Sequence, residues 1–316
     1  MTTNPPASDP PPAAGRSRRG WLRPAAVSVI LLGVGFVLGR STAPWSAPPL
    51  RVPTPAGPSE PAASGDALVA AATPTTREAT LEEVLQMARE GLDQLEQRID
   101  DYTATLVKQE RIGETLRPPE TMQIKLQTRR VQDGQTVRPL RVYLHFTDPP
   151  AVAGREVIWR EDANDGKLVA HEAGLLNVMR VSLPPDSFLA MRGNRYPITQ
   201  IGMTNLVRKL IERGELDQQT ASATVSITAP HDVAGRACQL IQVRHAEPNG
   251  RPDDFSLAEI AIDQERQIPL QYTAYGWPAE GEEPPLLESY TYLDVELNVG
   301  LAEDDFDPDN PQYDFP

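Results

Sequence analysis

The chain has one cysteine, Cys238, in 316 residues. A single thiol excludes an internal disulfide and a cysteine-built metal centre. Histidine is scarce as well. His145, His171, His231 and His245 are scattered, and no two stand at i,i+4 or H-x-H spacing, so a zinc site has no support. The sequence lacks a glycine-rich phosphate loop and a G-x-S-x-G nucleophile turn. No metal, cofactor or catalytic residue is expected on these grounds. Positive charge is the other shortage. Residues 1–80 hold seven basic and four acidic side chains, which leaves 23 basic and 40 acidic beyond them, a net charge of −17. A domain of that charge does not take up nucleic acid through its phosphates.

Long apolar runs are also rare, and the one that exists is informative. Pro24 to Gly39 is sixteen uncharged residues between Arg23 and Arg40. Arg16, Arg18, Arg19 and Arg23 precede it, and the next basic residues after Arg40 are Arg51 and Arg77. This asymmetry places the N-terminus in the cytoplasm and the bulk of the chain outside it. Two readings compete, a cleavable signal peptide and a retained helix over 21–40. A spanning helix needs about 20 apolar residues, and Trp21 and Leu22 extend the run, with arginines at both ends able to reach the interface. The cleavage candidates are poor: Ser41-Thr42-Ala43 is followed by Pro44, and Ser46-Ala47 by Pro48. A retained single-pass anchor is therefore the expectation, with 1–20 a disordered basic cytoplasmic tail. Residues 41–78 contain eight prolines and few large apolar residues. They read as a disordered tether, reaching on the order of 100 Å in polyproline II at about 3.1 Å per residue.

The folded part is expected over 79–300, with an acidic tail at 301–316. It opens with a helix: Leu81, Val84, Leu85, Ala88, Leu92, Leu95 and Ile99 recur on one face. Thr80 with Glu83 reads as a capping box. The pattern then switches to period two. Met122, Ile124 and Leu126 alternate with polar residues, as do Leu140, Val142, Leu144 and Phe146. Val157-Ile158-Trp159 leads into the turn Asn164-Asp165-Gly166. A second helical stripe, Met203, Leu206, Val207, Leu210 and Ile211, is expected to stop at Gly214. Strands resume from Thr220 to Leu293 with short turns between them. About ten strands and two helices result. Two helices cannot cover a flat ten-stranded antiparallel sheet, so the sheet must curl around them. The expected fold class is α+β, a strongly curved antiparallel sheet forming an open half-barrel with the helices in its concavity.

Within that frame Met122, Ile124, Leu126, Leu140, Val142, Leu144, Phe146 and Trp159 line the concave face. Leu175 to Met191, including Met179 and Phe188, forms a proline-interrupted apolar stretch that would suit a lid. These ten are the candidate ligand-cavity residues, against the plainer reading that most of them are core. Cys238 sits on a strand among apolar neighbours and reads as an inert buried thiol. Asp305, Asp307 and Asp309 alternate, but a calcium loop would need Gly at its sixth position, where Asn310 stands. A solvated tail is the simpler reading.

Several segments carry a family likeness: Tyr102 to Glu110, Gly154 to Ile158, Asn164 to Leu168, Tyr196 to Thr199, Ile262 to Pro269, and Tyr292 to Phe306 with Asn298 to Leu301. Over roughly 80–316 the chain resembles an uncharacterised bacterial family of extracytoplasmic domains related to the LolA-like fold of the outer-membrane lipoprotein-sorting proteins. The resemblance implies a half-barrel that holds an acyl chain, lipid or lipoprotein between sheet and helices, and supplies no catalytic residues. It also implies a periplasmic domain, held at the inner membrane if the N-terminal segment is retained and released if it is cleaved. A non-enzymatic envelope binding module is the leading reading, with an unidentified envelope protein as a further partner. A structural or assembly protein with a filled half-barrel is the alternative, and a hydrolase built on His171 or His145 the third.

Overall fold

The computed structural model describes Met1 and residues 73–174, 179–220, 223–251 and 254–316. The apolar run 24–39, the basic tail and most of the proline-rich tether lie outside these residues. Among the described residues no helix is long and apolar enough to cross a membrane.

The described residues from 73 onward form one compact unit. Strand β1 (Thr75–Ala79) leads into helix α1 (Leu81–Arg98), followed by β2 (Asp101–Ile112), the short β3 (Thr115–Leu116) and β4 (Glu120–Gln127). A small hairpin, β5 (Arg130–Gln132) and β6 (Gln135–Arg138), precedes β7 (Arg141–Asp148), β8 (Glu156–Arg160), β9 (Leu168–His171) and β10 (Val181–Leu183). Helix α2 (Met203–Thr220) follows. The chain then returns through β11 (Ala223–Val233), β12 (Arg236–His245), β13 (Leu257–Asp263), β14 (Pro269–Tyr275) and β15 (Leu286–Leu297). Among the described residues thirteen strands make one sheet, ordered β1-β11-β12-β13-β14-β15-β2-β4-β7-β8-β9-β10, with β3 beside β2. All its pairs are antiparallel, and among the described residues β1 and β10 are its edges.

The curl follows from what the two helices touch. One contiguous core joins Val233 of β11, Leu168 of β9, Leu85 and Leu95 of α1 and Val207 of α2. β11 and β9 are nine strand spacings apart. A flat sheet at about 4.8 Å per strand would separate them by about 43 Å. Two helices about 10 Å apart span far less, so a pair this narrow can bury so wide an apolar face only on a sheet that curves toward it.

Local chemistry sets the helices. Thr80 caps α1, its hydroxyl accepting from Glu83 N at 3.1 Å. The reciprocal half of the expected capping box is absent, because the Glu83 carboxylate accepts from Arg77 at 2.6 Å instead. Gly214 does not end α2. It lies inside the helix, where a Cβ would sit 2.7 Å from Leu85 Cδ2; the glycine lets the two helices approach closely. The turn Asn164-Asp165-Gly166 does join β8 to β9, and all three residues have positive φ.

Two further expectations need correction. The disordered tether was expected through residue 78, but Thr75 to Glu78 belong to β1, in register with Ser226 to Ala229 of β11. Their alternation is too polar to read as a strand; pairing to β11 supplies the backbone hydrogen bonds that a solvated linker would give to water. The acidic segment 301–316 is not a solvated tail. A 3-10 turn at Glu303–Phe306 seats Phe306 at 0% exposure against Tyr143 and Ile158, on the convex face. Tyr143 stacks on Tyr313 at 4.1 Å, and Lys125 Nζ donates to Asp305 Oδ1 at 2.6 Å and to Tyr313 Oη at 3.0 Å. Asp305 is a ligand for a lysine here. Replacing Phe306 by Ala is expected to cost about 3–5 kcal/mol of stability, read by urea denaturation; a loss under about 1 kcal/mol would show that the segment is not part of the fold.

Candidate functional site

Strand register defines the concave face. Ile241 faces Ile260, Val243 faces Ala258 and Gln239 faces Ile262 across β12 and β13. On the far side Met122, Ile124 and Leu126 of β4 stand opposite Phe146, Leu144 and Val142 of β7. A polar belt separates the two regions. Glu288 of β15 lies directly opposite Glu110 of β2, both buried. Tyr290 Oη lies between them, 2.5 Å from Glu110 Oε1 and 3.2 Å from Glu288 Oε2. Burial, then the two carboxylates, push the Tyr290 phenol well above its usual range, so it remains a donor. The pair also holds the segment ahead of α2: Arg195 N donates to Glu110 at 2.9 Å and Tyr196 Oη to Glu288 at 3.2 Å.

The candidate residues on the far side are packed, not open. Met122, Ile124, Leu126, Leu140, Val142, Leu144, Phe146 and Trp159 are at most 7% exposed and belong to the main core. The start of α2 presses on them: a Cβ on Gly202 would meet Leu126 Cδ1 at 2.8 Å, and Met203 N donates to Tyr102 Oη at 3.2 Å. Met179 and Phe188 are exposed, at 63% and 84%. Leu175, Leu176 and Val178 of the expected lid lie outside the described residues.

The structure opens a cavity elsewhere on the same face. It measures about 200 Å³ and lies between α1, α2 and the β12–β13 sheet, reaching Pro269 at the start of β14. None of the ten candidate residues lines it. Its α1 wall is Leu81, Val84, Leu85, Met87, Ala88 and Leu95; Val207 and Leu210 of α2 form a second wall. Ile241, Val243, Ala258, Ile260 and Ile262 form the floor, with Phe255 at one end. Two small residues leave the space. A Cβ on Gly91 would find nothing within 4 Å, and Ala258 stands where its neighbours carry larger chains. The sequence signal was present in the alternation of β12 and β13, but alternation does not say where helices press and where they stand off.

The Phe255 end is closed by ionic groups. Asp217 and His245, each about 2% exposed or less at the side chain, stand 3.2 Å apart at Oδ2 and Nε2. The carboxylate favours the charged imidazole across this contact. Arg251 donates to the other Asp217 oxygen. His245 Nδ1 faces the Phe255 carbonyl at 3.1 Å and Asp254 at 3.7 Å, and its ring stacks on Phe255. Burial opposes charge on both partners. Asp217 nonetheless overcomes it to raise the His245 pKa, and His245 with Arg251 holds the Asp217 carboxyl below its ordinary range. Arg213 completes this end, its Nη1 donating to Tyr272 Oη at 3.3 Å.

The histidines of the hydrolase reading lie elsewhere: His145 stands opposite Glu156 in the β7–β8 register, and His171 packs on the same carboxylate. His171 Nε2 lies 2.7 Å from Glu156 Oε2, and Tyr143 Oη donates to Glu156 Oε1 at 2.5 Å. This group is on the convex face, under Phe315, with Asp314 N donating to the same carboxylate at 2.8 Å; it is a seal for the C-terminal segment, not a cleft. Cys238 is fully buried, and burial pushes its thiol up to about 11. A second hollow, about 390 Å³, lies beside that segment over Ile158, Val169 and Phe306, its rim arginines Arg160 and Arg180 paired with Glu303 and Asp309.

The family described as "Protein of unknown function (DUF1571)" matches residues 99–315. The chain belongs to this family. The match starts at the end of α1 and runs through the C-terminal segment that covers the convex face. No curated protein matches the chain in sequence. Among solved structures it is similar to a DUF1329 family protein from Desulfovibrio piger, at 13% identity and a TM-score of 0.32, covering 72% of this chain and 97% of that one. It is also similar to a LolA superfamily protein from Nitrosomonas europaea, at 10% identity and a TM-score of 0.29, covering 71% and 97%.

A group whose folded pKa is raised stabilises the fold below its unfolded value and loses that contribution as pH climbs through the folded one. For His245 the unfolded value is near 6.5, so stability from this pair falls as pH rises above that value. Asp217 is depressed, so its share is lost only in acid, below the ordinary carboxylate range. Urea titrations of wild type and His245→Gln between pH 5 and 9 are expected to converge as pH rises; parallel curves would contradict the pairing.

Proposed function

We propose that this domain binds an apolar ligand, an acyl chain of a lipid or lipoprotein, in the cavity between α1, α2 and the β12–β13 floor, and that it does so without catalysing a reaction. The observation that carries the reading is the cavity itself. It is walled by aliphatic side chains from four elements and kept open by Gly91, whereas the inner-face residues of β4, β7 and β8 are packed into the core. An empty apolar void forfeits packing contacts, and binding pockets commonly measure about 300–1,000 Å³. At about 200 Å³ this one suits part of a chain. The sequence adds a location: the flanking arginines of 24–39 support a single-pass anchor in a bacterial inner membrane, with the domain on a proline-rich tether in the periplasm.

The packed β4–β8 side favours the second reading, a structural or assembly protein. One experiment separates the two. The full chain, held in amphipol, is titrated with the neutral apolar dye N-phenylnaphthylamine. Wild type is expected to enhance its fluorescence, and Gly91→Phe, which fills the void, to weaken dye binding at least tenfold. The variant should be no less stable than wild type, since glycine is the poorer helix former. Equal enhancement by both proteins would remove the cavity as a binding site.

A further inference from the structure

The cavity has two chemically different ends, and the difference bears on what the ligand carries at its head. Along α1 its lining runs from Leu81 to Gln94 and Leu95, about 20 Å at about 1.5 Å per residue. The Asp217 end is the more enclosed one, with Leu81 half-buried at its edge. Asp217, Val84, Val243 and Phe255 are buried there, and Asp217 is already paired with His245 and Arg251. The opposite end is the mouth. Gly91, Ile260 and Ile262 are half-buried and Gln94 and Gln267 are exposed. An apolar tail therefore enters at the glutamine end and stops against Phe255, leaving its head at the mouth.

Three amide side chains from three separate elements converge on that mouth: Gln94 from α1, Gln239 from β12 and Gln267 from the turn before β14. Gln267 already donates to the Gln264 carbonyl at 2.7 Å. The side chains of Gln94 and Gln239 have no hydrogen-bond partner among the described residues. Amides offer both donors and acceptors. No lysine or arginine lines this end; Arg213 lies beside Asp217 at the more enclosed one. The charged side chain nearest in sequence to Gln94 in the lining is Glu90, one helical turn away and exposed. The surrounding domain carries −17. Lipid-binding sites that take a free carboxylate or phosphate supply a cation for it; this mouth supplies amides and a carboxylate.

Resting on the acyl-chain reading above, we infer that the ligand is an acyl chain ending in an uncharged hydrogen-bonding head, an ester, amide or hydroxyl, and that the mouth selects against free fatty acids. Such a head occurs on a neutral lipid and on an acylated protein end. Gln94 and Gln239 are the residues that read it, and Glu90 is the residue that rejects an anion.

The test is displacement of N-phenylnaphthylamine from the full chain in amphipol at pH 8. The competitors share one chain length: 1-monomyristoylglycerol for a lipid head, N-myristoyl-serinamide for an acylated protein end, and myristate. One or both neutral ligands should displace the dye at about tenfold lower concentration than myristate, and the stronger of the two identifies the source. Glu90→Lys, an exposed substitution, should narrow that ratio at least fivefold by improving myristate. Gln239→Leu should weaken the neutral ligands and leave myristate unchanged. Myristate that competes as well as or better than both neutral ligands in wild type overturns the inference while leaving the cavity as an acyl site. Dye binding that Gly91→Phe does not reduce removes the underlying reading, and this inference with it.

Discussion

The close contact between α1 and α2 is the constraint on which the rest depends. Gly214 lets α2 settle against Leu85 of α1 at a distance where a Cβ would force the Leu85 side chain to shift. The two helices then act as one narrow apolar body. A sheet with twelve strands along its path cannot bury its apolar face on so narrow a body unless it bends, and the bend brings β11 and β9 into one core. The antiparallel register keeps every concave side chain in line across that bend, because side chains alternate with period two.

The helix pair does not fill the concavity evenly. The start of α2 is driven into the sheet at Gly202, where the backbone sits against Leu126 and Tyr102. Leu126, Tyr102 and Met203 are all at most 2% exposed there. Toward β12 and β13 the helix pair stands off, and Gly91 and Ala258 contribute no bulk. A cavity on one side and a tight core on the other are thus two consequences of one helix placement. The polar belt of Glu110, Tyr290 and Glu288 lies between them and ties Arg195 and Tyr196 to the sheet. That tie orients the start of α2.

The convex face shows how an acidic segment can be structural. Residues 301–316 carry many carboxylates, yet Phe306, Tyr313 and Phe315 supply apolar contact, and Lys125 neutralises Asp305. The segment satisfies Glu156 and covers His171. A Glu–His–Tyr group that in isolation invites a catalytic reading is, in place, a buried hydrogen-bonded seal.

Much of the architecture was legible from local pattern. The 3.6-residue stripes of both helices, the alternation in β4, β7, β12 and β13, and the turn at Asn164-Asp165-Gly166 all reflect short-range geometry. Together they imply a curved antiparallel sheet around two helices, and they sort Met122, Ile124 and Leu126 onto its inner face. The charge of the domain and the single thiol are likewise properties of the sequence alone. Tertiary structure decided the remainder. Whether an inner-face residue is packed or lines a void depends on where a helix presses, which no alternation encodes; so Val142 became core while Ile260 became cavity floor. Gly214 reads locally as a helix stop and acts instead as a contact point, because its role is set by Leu85 on another element. His245 and Asp217, 28 positions apart, meet only once α2 lies across β12. Each of these depends on distance in space, and that distance is fixed only when the sheet closes around the helix pair.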